Sequence, residues 1–167
     1  MADTGVLRVV FGDQLSRKIA ALRELDRERD SVLLMEVREE SEAVPSHRQR
    51  NALFLAAMRH FSAALAARKV KVEHVRLDDP ANTQSFDGEV ACAVERLKPE
   101  RIVVTWPGEW RVLEMVRGWE SAWACRSKFW KTTASSLRAR ISPPGPRERR
   151  LCGWSSSIAR CAAATGC

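Results

Sequence analysis

No run of about 18 apolar residues occurs in this chain, and MADTGVLRVV at its start lacks a basic segment leading into a long apolar one. The expectation is a soluble, cytoplasmic polypeptide with no membrane partner. Five cysteines are present, but no pair stands at C-x-x-C, and no histidine follows Cys92. Zinc and redox spacings are therefore missing, no metal site is expected, and Cys92 reads as a small buried hydrophobe. Also missing are G-x-x-x-x-G-K-[ST], G-x-G-x-x-G and G-x-S-x-G, so neither a phosphate cradle nor a hydrolase elbow is supported. The three histidines, His47, His60 and His74, are isolated from one another and read as surface or helix-packing residues.

What is present is 167 residues, 45% apolar, enough for one domain with a core. The net charge of +7 is unevenly placed. Residues 1–124 carry 19 Lys and Arg against 20 Asp and Glu, whereas residues 125–167 carry 9 basic side chains and one acid, Glu148. The basicity therefore belongs to the last quarter of the chain.

The apolar pattern predicts alternating strands and helices. VLRVVF (6–11), SVLLMEV (31–37) and RIVVTW (101–106) are short, nearly continuous apolar runs, as in strands covered on both faces, and VKVEHVRL (70–77) alternates imperfectly, as in an edge strand. Helical spacing marks Ser16–Leu25, residues 47–69, residues 87–97 and the segment EWRVLEMVRGWE. In the longest of these, Phe54, Met58, Phe61 and Leu65 form a stripe that Leu53, Ala56, Ala57 and Ala64 widen. Four rounds of strand and helix imply an α/β fold, a Rossmann-like parallel sheet of about four to five strands flanked by helices, occupying residues 1–122.

Ligands of such sheets gather beyond the carboxyl ends of the strands. The loops expected there are Gly12-Asp13-Gln14, Glu36–Ser46, Asp78–Phe86 and Thr105–Arg111. Gly12 would allow a tight turn or close approach to a ligand. Asp13 has two readings: it faces the crevice, or it caps the helix that follows. Glu39, Glu40 and Glu42 likewise read either as site residues or as a solvated acidic loop.

Four stretches together resemble the N-terminal domain of the bacterial photolyase-related family, the iron–sulfur cryptochromes and (6-4) photolyases. They are GDQL (12–15), LMEVREE (34–40), AAMRHF (56–61) with the preceding HRQR, and TWPGEWRV (105–112). The resemblance implies an α/β antenna module holding a ribityl-lumazine-type chromophore. Asp13 and Glu40 fall on chromophore-contacting positions of that family, with Phe11, Gly12, Met35 and Glu36 lining the same crevice. The family often carries an aromatic near Ala43 and two histidines where Ser46 and His47 stand. The larger helical domain, with FAD and a 4Fe-4S cluster, is not expected here. DNA would be reached only through that domain, and no catalytic residue can be carried over.

Residues 123–167 change character, with dense Arg, Ser, Pro and Cys and no period of their own, and read as an irregular basic tail. Shifted by one nucleotide, Trp123–Ser136 and Gly153–Ala162 can both be back-translated into family-like text. The expectation is a frameshift near residues 118–123 in a truncated polypeptide. Two other functions stay open: a stand-alone α/β module for a nucleotide-like ligand, and a basic nucleic-acid binder using Trp130 and Trp154.

Overall fold

The computed structural model describes residues 5–43, 46–123 and 130–133. Its described strands, β1 (Val6–Val10), β2 (Ser31–Met35), β3 (Lys71–Val75), β4 (Arg101–Thr105) and β5 (Trp130–Thr133), form one wholly parallel sheet in the order β3-β2-β1-β4-β5. The α/β fold expected from the sequence is thus present. Strand β5 pairs in register with β4, Ile102 opposite Trp130, from within the segment that composition marked as a tail. The rest of that tail reading falls on residues that lie outside the described ones.

The chain runs from β1 outward to β2 and β3, then returns to β4 on the other side of β1. This reversal makes the loops after β1 and β4 the topological switch point, where ligands of such sheets bind.

Both faces of the sheet are covered, which is why β1, β2 and β4 are apolar on consecutive residues. On one face, Leu7, Val9, Leu33, Ile102 and Val104 pack under α3 (Phe86–Leu97) and α4 (Trp110–Trp123), where Phe11 meets Phe86 edge-on at 5.3 Å and stacks on Trp119 at 6.4 Å. On the other face, Val10, Val32 and Leu34 meet α2 (Arg48–Ala66) through Phe54, Met58, Phe61 and Leu65. His47 caps α2, its Nδ1 accepting from the Gln49 amide. The wider stripe expected on α2 is not buried: Leu53 is 73% exposed, and Ala56, Ala57 and Ala64 also face solvent. One row at steps of four and three suffices to cover the β2 side of the sheet.

The helix expected at Ser16–Leu25 is replaced by turns and one short 3-10 segment, Ala20–Leu22. Arg8, buried at the centre of β1, is the reason. Its guanidinium donates to the carbonyls of Ala21 and Glu24, and the Ala21 amide donates to Thr105 Oγ1 at 2.9 Å. A continuous helix would need those backbone groups for its own ladder.

Candidate functional site

The loop after β1 turns sharply, with the Gln14 amide donating to the Phe11 carbonyl at 2.9 Å. Gln14, itself buried, then stitches the two sides of the crevice together: its Nε2 donates to the carbonyls of Thr105 and Trp106, each at 3.3 Å. Asp13 is left facing the loop after β4, where a Cβ on Gly108 would lie 4.0 Å from Asp13 Oδ2. Since no helix follows to be capped, the capping reading of Asp13 falls. Its carboxyl is pushed above the usual range by burial, against the pull of its own amide, with the Glu109 charge adding to the rise.

Opposite Asp13 stands a short helix that replaces the expected acidic loop, α1 (Arg38–Ala43), bearing Glu39 and Glu40. Arg111, from the first turn of α4, reaches into this group. Its Nε donates to Glu109 Oε1 at 2.9 Å, while Nη1 lies 3.5 Å from Glu39 and Nη2 lies 3.7 Å from Glu40. The Glu40 carboxyl is raised by burial, lowered in part by Arg111, and raised again by Glu109, Asp13 and Glu39. Asp13 and Glu40 therefore share one electrostatic neighbourhood, built around an arginine that the sequence reading passed over. Trp106 and Trp110, 42% and 66% exposed, flank the same loop, with Arg117 over both rings.

The other residues expected in the crevice are engaged by protein contacts. Phe11 and Met35 are buried in the apolar core. Gly12 is required by α2: a Cβ there would lie 2.2 Å from Phe54 Cζ and 3.1 Å from Met58 Sδ. Glu36, fully buried, is bound by protein on all sides. Arg59 grips both carboxylate oxygens at 2.8 Å, the Leu77 amide donates at 3.1 Å, and His74 Nε2 sits 3.1 Å away. Burial raises its carboxyl, but the Arg59 and Leu77 bonds outweigh burial and hold it below the usual range. His74, isolated in the sequence, is thus part of this knot. Burial lowers its own proton affinity despite the neighbouring Glu36.

A second feature escaped the sequence altogether. Gln84 lies far along the chain from α1, yet its side-chain Oε1 accepts from the Arg38 amide at 3.2 Å and its carbonyl from the Glu39 amide at 3.3 Å. In return, Glu39 Oε2 accepts from the Phe86 amide at 3.0 Å, at the start of α3. Two helices thus cap one another across the chain, as the two ends of a capping box do within one helix. Nothing in the composition of ANTQSF signals this pairing.

Fold and site together define a Rossmann-like α/β domain with a cluster of acidic side chains around Arg111 in the loops beyond its topological switch point. Among the described residues no group of three or more His, Cys, Asp or Glu side chains is arranged to hold a metal ion, and no helix is long and apolar enough to cross a membrane. Residues 8–137 match the deoxyribodipyrimidine photo-lyase-related protein family, and the chain belongs to that family. It is also 43% identical over 116 residues to a (6-4) photolyase of Agrobacterium fabrum, a match covering 70% of this chain and 23% of that relative. The chain thus spans under a quarter of the length of the curated relative it matches.

Proposed function

We propose that this chain is the chromophore-holding α/β portion of a light-dependent, photolyase-related flavoprotein, and that its crevice takes a ribityl-lumazine-type antenna molecule. The observation that carries this reading is the convergence of Asp13 and Glu40 on one rim, in a chain of this family. Carboxylates accept hydrogen bonds from the hydroxyls of a polyol chain and from ring N–H groups. Asp13 is exposed and Glu40 half-buried, so both carboxylates are open to a ligand's donors, and the carboxyls of both are raised above the usual range. The exposed rings of Trp106 and Trp110 offer a stacking face on the β4 side of the crevice, where Ala43 offers none.

When bound, such a molecule supplies light absorption, and the protein's part is to bind and orient it. FAD, a 4Fe-4S cluster and the lesion-binding groove belong, in this reading, to the remainder of the longer relatives. Light-driven repair of DNA, or blue-light sensing, is then the task of such a longer protein.

Titration of the purified protein with ribityl-lumazine, followed by the absorbance and fluorescence of the ligand, tests the proposal. Saturable binding that is weakened by Asp13→Ala and by Glu40→Ala is expected. Absence of binding up to millimolar ligand would overturn it, and tight binding of a nucleotide instead would favour the unrelated module. Salt-sensitive DNA affinity that vanishes on deleting residues 125–167 would point to the basic binder.

A further inference from the structure

The carboxylates of the crevice rim ride on α1, a helix of six residues none of which is buried. Its own packing therefore does not hold Glu39 and Glu40 in place. The position is held from outside: Arg111 and the Phe86 amide engage the side chains, and the backbone is held by Gln84, whose φ of 63° lies in the left-handed region that side chains with a Cβ rarely adopt. Every polar handle of Gln84 is engaged. Its amide donates to Asn82 Oδ1 at 2.7 Å, its carbonyl and Oε1 cap α1, and its Nε2 donates to the Leu77 carbonyl at 3.1 Å. Leu77 in turn donates to the buried Glu36 carboxylate, and Asn82 Nδ2 donates to the carbonyls of Glu36 and Arg76. An unbroken run of hydrogen bonds thus leads from the Glu36–Arg59 pair to the first turn of α1.

We propose that Gln84 is a positioning residue of the crevice, a strut that carries the rigidity of the Glu36 knot to Glu39 and Glu40 and so sets the separation of Glu40 from Asp13. The strut stands on these bonds alone; its consequence for ligand choice rests on the chromophore reading above. A ligand that bridges the two acids with a chain of hydroxyls is sensitive to that separation, because hydrogen bonds weaken steeply with misalignment.

The test uses Gln84→Gly in the full chain. Glycine accepts the left-handed backbone freely while deleting both side-chain bonds, so the relief of strain offsets part of the loss and the variant stays folded. Amide exchange at Arg38 and Glu39 should accelerate at least about tenfold while Val9 and Leu33 stay unchanged. The Glu40 carboxyl, followed by NMR through a pH titration, should fall toward the ordinary carboxylate range as α1 loosens, because the burial that chiefly raises it is relieved together with the Glu109 and Asp13 charges, outweighing the loss of Arg111. Ribityl-lumazine affinity should drop about tenfold, which corresponds to about 1.4 kcal/mol. Unchanged exchange at Arg38 and Glu39 would overturn the strut. Faster exchange with an unmoved Glu40 titration would reduce Gln84 to a structural cap and overturn its positioning role. Should the unaltered protein bind no ribityl-lumazine, the chromophore reading fails while the exchange and titration results still decide on Gln84.

Discussion

Replacing Asp30 by alanine should remove a large share of the stability of this domain, and the size of the effect follows from what the carboxylate does. Asp30 and Arg8 are 3% and 4% exposed. The Asp30 carboxylate accepts from Arg8 Nε at 2.7 Å, from the Val6 amide at 3.0 Å and from the Asp26 amide at 3.0 Å. Burial would raise this carboxyl, but the two amides and the guanidinium together hold it below the usual range. Removing the carboxylate strands a buried guanidinium, and breaking a buried pair in this way costs about 3–5 kcal/mol. A typical domain has about 5–15 kcal/mol in all. With a urea dependence of about 1–3 kcal/mol per molar, the midpoint should fall by about 2 M at pH 7, read by far-UV circular dichroism. Arg8→Met combined with Asp30→Ala removes both charges, so the double variant should be less destabilised than the two single changes added together, by about 2 kcal/mol or more. It will not recover fully, because the Ala21 and Glu24 carbonyls lose the donors that shape the 15–30 connection. A midpoint shift below about 0.5 M for Asp30→Ala, or strict additivity of the pair, would refute the assignment of Arg8 and Asp30 as the organising contact. The Asp30 contribution should be complete above its ordinary pKa of 3.8 and disappear as pH falls through its lowered folded value.

His74 resists protonation in the folded state, so the unfolded chain takes up that proton first, near 6.5. Stability should fall as pH drops from 7 toward the lowered value, and His74→Gln should flatten this part of the urea-midpoint profile; equal slopes for the two proteins would refute it. Asp13, Glu40 and Asp87 are raised and act in the opposite sense at lower pH, which is why the comparison is made between the two proteins. Arg111→Gln removes the cation that restrains Glu40, so the Glu40 carboxyl should titrate still higher by NMR while Asp30 does not move. A lower Glu40 value would contradict the proposed arrangement of charges. Gly12→Ala forces the Phe54 ring to shift and should lower stability by about 1–3 kcal/mol, with Phe54→Leu restoring part of the loss in the double variant; a neutral Gly12→Ala would show that α2 does not pack as closely as described.

The strands β1, β2 and β4 were legible because a doubly covered parallel sheet leaves an unbroken apolar signature, and α2 was legible because its Phe54–Leu65 row repeats at helical steps. The Asp13 and Glu40 positions came from the family-like stretches GDQL and LMEVREE; the fold sets Arg111 beside Glu40 and lets the charge of Asp13 reach it. The segment at 16–25 has equally good helical spacing, and there the periodicity misleads. Its backbone groups answer to Arg8 and Thr105, which reach it only once the sheet has formed.

Local pattern by itself determined the first four strands and the helices α2, α3 and α4, because side-chain periodicity acts over a few residues; it missed α1 and β5 and misread residues 16–25. Tertiary structure alone decided what each acid does. Glu36, Glu39 and Glu40 lie within five positions of one another, yet one is locked against Arg59 and His74, the next caps α3, and the third faces Asp13 beside Arg111. Charge and hydrogen-bond partners come from strands and helices distant along the chain, so the role of a carboxylate is settled by what the fold brings beside it.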